Sequence, residues 1–356
     1  MTDVARLAGV STMTVSYAYS RPGRVSAESA ARVRAAAEAL DYPGPNPGAR
    51  SLRTGRAGSL GVVLGEHLAY AFEDPQAARF LAGVAEVCAA HGIGMTLVPA
   101  TGDDSDVDRV AESAVDAFVL WTTSDDDPVV AAVAGTGLPA VVHGGPAATG
   151  LRVVTVDNVA AAHAIGRLAF TGARRPAVLS FPLDRARASS VLSGPDPSVV
   201  DYPVTRHRLR GFRDAWTGLG GDWSDVQVAV CAENTAADGE LLATRLLELP
   251  APPDAIAAMG DELAFGALRA AERAGLAVPD ALALTGWDDS DAAARAGLTT
   301  VQQSLRAQGR LCALLALDHE GSGEEVQPPT WRIVARRSAP RNRSARGAEA
   351  GGAQPA

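Results

Sequence analysis

From Gly58 onward, short runs rich in valine, leucine and isoleucine alternate with alanine-rich stretches of helical length, and this alternation restricts the fold more than any other feature. Strands are predicted over 59–64, 93–98, 116–121, 138–143, 153–156, 177–181, 226–230, 254–259, 281–286 and 330–335, with helices over 75–91, 105–114, 158–171, 206–219, 235–248, 261–275 and 304–319. Such alternation of strand and helix calls for parallel sheets with crossover helices. Ten strands exceed one small doubly wound unit, so two α/β lobes with a cleft between them are expected over residues 58–338. Segment 184–203 has no clear period and reads as a flap beside that cleft.

The front of the chain is different. Residues 1–57 hold eight arginines against four acidic residues, net +4, so of the total charge of −9 the remainder carries −13. A basic module joined to a large acidic one is expected when only the first meets a polyanion. No lysine occurs in the 356 residues, so every such contact would come from an arginine fork. Within the basic module, Val4, Leu7 and Ala8 recur at helical spacing, Gly9 breaks the run, and Ser11 is placed to cap a second helix ending near Ser20. Arg21-Pro22-Gly23 ends that helix. Ser26 then caps a third, whose Val33, Ala36, Ala37 and Leu40 form one apolar stripe before Pro43.

Two short helices around a glycine turn, with a third behind them, fit a helix-turn-helix headpiece over residues 1–45. Val15, Ala18 and Tyr19 would then face the core and leave Thr12, Met13, Ser16 and Tyr17 outward, on the half that enters a major groove. The same pattern also fits the end of a helical bundle with a solvated face. Residues 46–57 follow as a linker of prolines and glycines and then a short stretch, A-R-S-L-R-T-G-R, with one leucine among arginines. Leu52 there fits either a wedge between minor-groove base steps or a contact on the body of the protein.

These residues carry a resemblance. D-V-A-R-L-A-G-V-S, T-V-S and L-D-Y, followed by N-P-G-A-R-S-L-R-T-G-R, resemble the headpiece and hinge helix of the LacI/GalR (lactose-repressor) family of transcriptional regulators, and later segments extend the likeness to about residue 338. The resemblance implies double-stranded DNA, a palindromic operator, as partner. Thr12, Met13 and Tyr17 would read base edges and Ser16 would contact phosphate. Arg24, Asn46, Arg50 and Arg53 would support the grip, and Leu52 would wedge into the central step. Two features depart from the family: Met1-Thr2 directly precede Asp3, leaving Thr2 to cap the first helix alone unless the chain starts upstream, and Tyr17 replaces a frequent base-reading arginine. Thymine methyls and shape are therefore the expected readout.

In open α/β sheets ligands lie beyond the carboxyl ends of strands, which draws attention to Asp157, Asp261 and Asp288 and to the Arg206, Arg208 and Arg210 run. Each aspartate singly fits helix capping or ion pairing as well. The resemblance implies a two-lobed periplasmic-binding-protein-like body that takes a small-molecule effector, carbohydrates among the candidates, with Asp157, Arg208, Asp261 and Asp288 as its contacts. Gln76, Ala77, Asn234 and Leu305 stand where the family often places stacking aromatics, so no aromatic platform is expected. By the same resemblance the chain acts as a homodimer or higher oligomer, and effector binding orders or melts the hinge helix.

Rival classes find less support. No G-x-G-x-x-G follows a strand, no G-x-x-x-x-G-K-[ST] exists without lysine, and H-E-x-x-H and G-x-S-x-G are absent, so no catalytic residue and no cofactor are expected. Six scattered histidines and three distant cysteines offer no metal spacing. Asp103-Asp104-Ser105-Asp106 and Asp125-Asp126-Asp127 lack the calcium-loop pattern and read as helix caps. A solute-binding module or an enzyme on the same α/β body is the alternative, and the basic headpiece argues against both. With 47% hydrophobic and 21% charged residues the chain folds, yet no run reaches the ~18 apolar residues of a membrane span. A cytoplasmic protein, on the nucleoid when bound to its operator, is expected. Residues 339–356, rich in glycine, alanine and arginine, read as a disordered tail.

Overall fold

The computed structural model describes residues 1–44, 55–65, 68–100, 102–103, 105–148, 150–317 and 329–339. They fall into two units, Met1–Gly58 and Ser59–Ala356. In the first unit the helices are α1 (Thr2–Ala8), α2 (Thr12–Ser20) and α3 (Ala27–Ala39). Capping chemistry sets their starts: Ser11 accepts from the Thr14 amide at 3.0 Å, and Ser26 from the Ser29 amide at 3.2 Å. Gly9, at φ 63°, makes the left-handed turn between α1 and α2. Thr2 does not cap α1; it is already helical, and Met1 precedes it without a side-chain cap. Val4, Ala5, Ala8, Val15, Val33, Ala36 and Ala37 form the core, flanked by Val10, Ala18 and Tyr42. Leu7 and Leu40 are instead exposed, at 57% and 43%.

The second unit holds two parallel sheets. The first contains β1 (Ser59–Leu64), β2 (Gly94–Pro99), β3 (Ala117–Trp121), β4 (Ala140–His143) and β5 (Arg152–Val154) in the order β2-β1-β3-β4-β5, with every pairing parallel. Period-two alternation buries both faces. Leu60, Val62, Val119 and Trp121 join the Pro75–His91 and Leu305–Leu317 helices, whereas Val63, Phe118 and Leu120 join the helices Asp106–Glu112 and Pro128–Gly135. The Pro75–His91 and Leu305–Leu317 helices cross closely because a Cβ at Gly83 would strike the Arg306 carbonyl and one at Gly309 the Phe80 carbonyl.

The second sheet adds β6 (Pro176–Ser180), β7 (Ser190–Ser193), β8 (Gln227–Val230), β9 (Ala255–Ala258), β10 (Ala283–Asp288), β11 (Thr299–Gln302) and β12 (Arg332–Val334), ordered β12-β11-β10-β9-β6-β8-β7. Its interior is parallel, and β7 and β12 run antiparallel at the two edges. The helices Asn158–Phe170 and Pro203–Thr217 cover one face, and Ala236–Leu247 and Asp261–Arg273 the other. The chain passes to the second lobe after β5, returns to the first with the Leu305–Leu317 helix after β11, and crosses again to place β12 in the second sheet.

Several expectations shift. Segment 184–203 is an ordered extension that supplies edge strand β7 and a 3-10 turn at Pro197–Val199. β11 escapes sequence reading because its buried residues are Thr299, Thr300 and Val301, only one of them a hydrocarbon. The Pro128–Gly135 helix escapes it because Pro128 resembles a breaker yet sits in the first turn, capped by Asp127 onto the Val129 amide. Ala339, assigned to the tail, is buried at 3% exposure. Residues 340–356, and Asn46, Arg50, Leu52 and Arg53 of the linker, lie outside the described residues.

Candidate functional site

On the headpiece, α2 carries no charged side chain. Thr12 and Met13 are exposed, Met13 at 62%, Ser16 and Tyr17 are half-buried, and Val15 fills the core. Tyr19, expected in the core, is 40% exposed and meets Tyr42 edge to face at 6.3 Å. Arg24 ends the Pro22–Arg24 turn and is exposed. The helix thus offers a hydroxyl, a thioether and a phenol outward, with its nearest chain cations in Arg21 and Arg24 behind it.

Between the lobes of the second unit lies a cleft of about 920 Å³, its open mouth included, lined by residues of both. Arg208, on the Pro203–Thr217 helix, is its best-anchored side chain. Its Nε donates to Asn158 Oδ1 at 2.9 Å, its Nη1 to the Met259 carbonyl at 2.5 Å, and its Cζ lies 3.8 Å from the Trp287 ring centroid. Burial lowers its pKa to about 10, against which the nearby Asp288 acts, so the guanidinium stays charged at neutral pH. Asp288 closes β10 at φ 113°, a conformation costing about 1–3 kcal/mol outside glycine, and accepts from Gln303 Nε2 at 2.8 Å. Burial first, then Asp261, raise its pKa well above the carboxylate range, and Arg208 opposes them.

The first lobe contributes rings. Trp121, the last residue of β3, stacks on His143, the last of β4, at 4.7 Å and 15° between planes, and Phe80 packs on both. His143 Nε2 lies 2.9 Å from Gln308 Oε1, and burial pushes its pKa down to about 4, so it is neutral. Asp74 caps the Pro75–His91 helix through the Gln76 amide and receives Asn234 Nδ2 of the other lobe at 3.5 Å; burial raises its pKa. At the mouth, Arg206 grips Asp125 with both terminal nitrogens at 2.5 and 3.2 Å, and the Asp125 amide donates to the Asp201 carbonyl.

The four aspartate and arginine candidates separate. Arg208 and Asp288 line the cleft, but Asp157 and Asp261 do not. Asp157 is exposed and caps the Asn158–Phe170 helix through the Ala160 amide; its neighbour Asn158 reaches the cleft instead. Asp261 is buried with both oxygens used, Oδ2 by the Ser290 amide and Oδ1 by the Thr300 hydroxyl, each at 2.8 Å. The expected lack of aromatics is also corrected, because Trp121, Phe181, Tyr202 and His143 line the wall from other positions, while Gln76, Asn234 and Leu305 line it as polar and aliphatic residues. Sequence reading missed Trp121 and His143 since each ends an apolar run that reads as core. Tyr202 sat in the aperiodic segment 184–203. Among the described residues no cluster of metal-ligating side chains occurs, and no helix is long and apolar enough to cross a membrane.

Comparison with known proteins matches residues 1–46 to the bacterial regulatory proteins of the lacI family and residues 165–339 to a periplasmic binding protein-like domain. The HTH-type transcriptional regulator IpsA of Corynebacterium glutamicum is 38% identical over 317 residues, covering 87% of this chain and 88% of its own. A crystal structure of a LacI-family transcriptional regulator from the same organism superposes with a TM-score of 0.73 at 31% identity, over 95% of this chain and 98% of that one. The complex of the transcriptional regulator CelR with cellobiose gives 0.64 at 26%, over 94% and 98%. A helix-turn-helix headpiece, a two-lobed binding body and identity spread over most of both chains place this protein in the LacI family, as a DNA-binding transcriptional regulator and not an enzyme.

Proposed function

We propose that the protein is a repressor that binds a palindromic operator as a homodimer and is controlled by a small, uncharged, hydroxylated effector, a carbohydrate or similar polyol, held between its lobes. The lining of the cleft carries this reading. Besides Arg187, Arg208, Asp74 and Asp288, its polar groups are a neutral His143, amides and hydroxyls, set among the rings of Trp121, Phe181 and Tyr202. Arg208 spends two of its five donors on Asn158 and Met259, and Arg187 one on the Ala232 carbonyl, which leaves terminal N–H groups to donate to effector hydroxyls. Aromatic faces beside amides suit a ring that is apolar on its faces and hydroxylated at its rim. The cellobiose bound by CelR is a molecule of that kind.

At the other end, Thr12, Met13 and Tyr17 read base edges, Ser16 and Arg24 hold the backbone, and Asn46, Arg50, Leu52 and Arg53 act in the minor groove. A two-fold operator follows from a two-fold protein. With no charge on α2, discrimination rests on thymine methyls and groove shape rather than on guanine forks. Effector binding changes the lobe angle and, through the linker, operator affinity, and the protein does this in the cytoplasm.

Selection of bound duplexes from a random pool tests the reading. An inverted repeat whose half-sites are enriched at A·T positions under α2 is expected, with affinity falling steeply with salt. Enrichment of a single non-repeated site would contradict the dimeric reading.

A further inference from the structure

One polar chain crosses the floor of the cleft. His143 Nε2 meets Gln308 Oε1 at 2.9 Å, Gln308 Nε2 meets Gln303 Oε1 at 3.2 Å, and Gln303 Nε2 meets Asp288 Oδ1 at 2.8 Å, beside the Arg208 guanidinium. Its direction is set at the Asp288 end. Gln303 turns its amide nitrogen to Asp288 Oδ1 and so donates there, its oxygen accepts from Gln308, and the Gln308 oxygen accepts from His143. The imidazole must then carry its proton on Nε2 and leave Nδ1 as an acceptor.

The ring stacked on it is left incomplete in the opposite sense. Trp121 is 8% exposed in the cleft wall, and its Nε1–H, buried, finds no acceptor among the described residues. A buried donor left without an acceptor is costly, and a ligand that supplies one recovers that cost. The ring centroids lie 4.7 Å apart with the planes 15° from parallel, and both residues line the cleft, so the two groups belong to one patch of its wall. A hydroxyl is the group that both accepts and donates. An ether or carbonyl oxygen leaves His143 unanswered, and an ammonium leaves Trp121 unanswered.

We propose that Trp121 and His143 form a hydroxyl-reading pair, in which the indole N–H donates to one effector hydroxyl while imidazole Nδ1 accepts its proton, and that the Gln308–Gln303–Asp288 chain holds the imidazole in the tautomer this needs. The inference rests on the polyol reading of the cleft and adds to it which groups demand a hydroxyl. Gln308 and Gln303 are positioning residues, and Trp121 and His143 determine specificity.

The tautomer is tested without any effector. Nitrogen-15 spectra of the full-length protein with labelled histidine, with His143 assigned by loss of its signals in His143→Phe, should show a protonated Nε2 and an unprotonated Nδ1. Gln308→Leu should turn that spectrum into a mixture. A protonated Nδ1 in the parent, or a spectrum unchanged by Gln308→Leu, overturns the relay. The pair is tested by titrating the full-length protein with glucose, galactose, ribose, cellobiose and glucose 6-phosphate, and then with the monodeoxy analogues of the tightest sugar. Trp121→Phe should weaken the parent sugar about tenfold, one deoxy analogue should weaken about tenfold with the unaltered protein, and the two losses should not add. Losses that add for every deoxy analogue overturn the hydroxyl-reading pair and leave the polyol reading standing. If no neutral sugar binds the unaltered protein, or the phosphate binds best, the polyol reading falls and the pair with it.

Discussion

On the second-lobe wall of the cleft, Arg208 hands its hydrogen bonds to Asn158 and Met259 and lies on Trp287, and Asp288 receives Gln303, so the strongest polar groups are answered by the protein itself. On the first-lobe wall, Trp121 and His143 are stacked rings with little charge, and an indole N–H is left open. The difference separates two jobs that a ligand-contact map would merge. The second-lobe wall, although Trp287 Nε1 also finds no acceptor among the described residues, is fixed by bonds among its own charged groups, whereas the first-lobe wall meets a ligand with rings and little charge.

The largest expected effect breaks the second-lobe wall. Arg208→Ala leaves Asp288 buried without its counter-charge and opens the Trp287 face, so urea unfolding should show a loss of about 3–5 kcal/mol together with loss of effector response. A loss below about 1 kcal/mol would mean that the guanidinium is not the keystone of that wall.

The first-lobe wall should betray itself through pH instead. Burial holds His143 neutral with a pKa of about 4, against about 6.5 when unfolded, so its contribution is complete above pH 6.5 and is lost as pH falls toward 4. His143→Phe keeps a ring in the stack and should lose about 3 kcal/mol less than the parent protein between pH 7 and pH 4. The buried carboxyls of Asp74 and Asp288 shift the other way and gain stability on acidification, but they do so in both proteins and cancel in the difference. Equal acid loss in the two proteins would show that His143 is not buried in this wall.

How much of this was legible in the chain differs residue by residue. Arg208 and Asp288 stood out because one lies in a run of three arginines that opens a helix and the other follows an expected apolar strand. Trp121 and His143 did not, because A-F-V-L-W and A-V-V-H read as buried strands until the sheet shows that their last residues reach the cleft. Asp157 and Asp261 misled for the converse reason: an aspartate after a strand is equally placed to serve a helix start, and both spend their oxygens on nearby backbone amides and a threonine. The alternation of strand and helix made the two sheets legible. β7 and β11 were not, since Ser190–Ser193 and Thr299–Gln302 carry too few hydrocarbon side chains to announce a strand.

The smallest effect sharpens the contrast at the mouth. Arg206 and Asp125 join the walls through a partly exposed ion pair, at 24% and 45% side-chain exposure, so Arg206→Ala should cost about 0.2–1 kcal/mol in unfolding. Small-angle scattering should nevertheless register a wider lobe angle, because the pair ties one lobe to the other. A large stability loss with unchanged scattering would make Arg206 part of the fold rather than of closure.

Titration of a selected operator duplex by fluorescence anisotropy, with and without saturating neutral sugar, tests the whole account most directly. Operator affinity should shift with at least one neutral sugar, remain indifferent to its phosphate ester, and lose the shift in Arg208→Ala. An affinity that answers to the phosphate ester, or to no sugar at all, would contradict it.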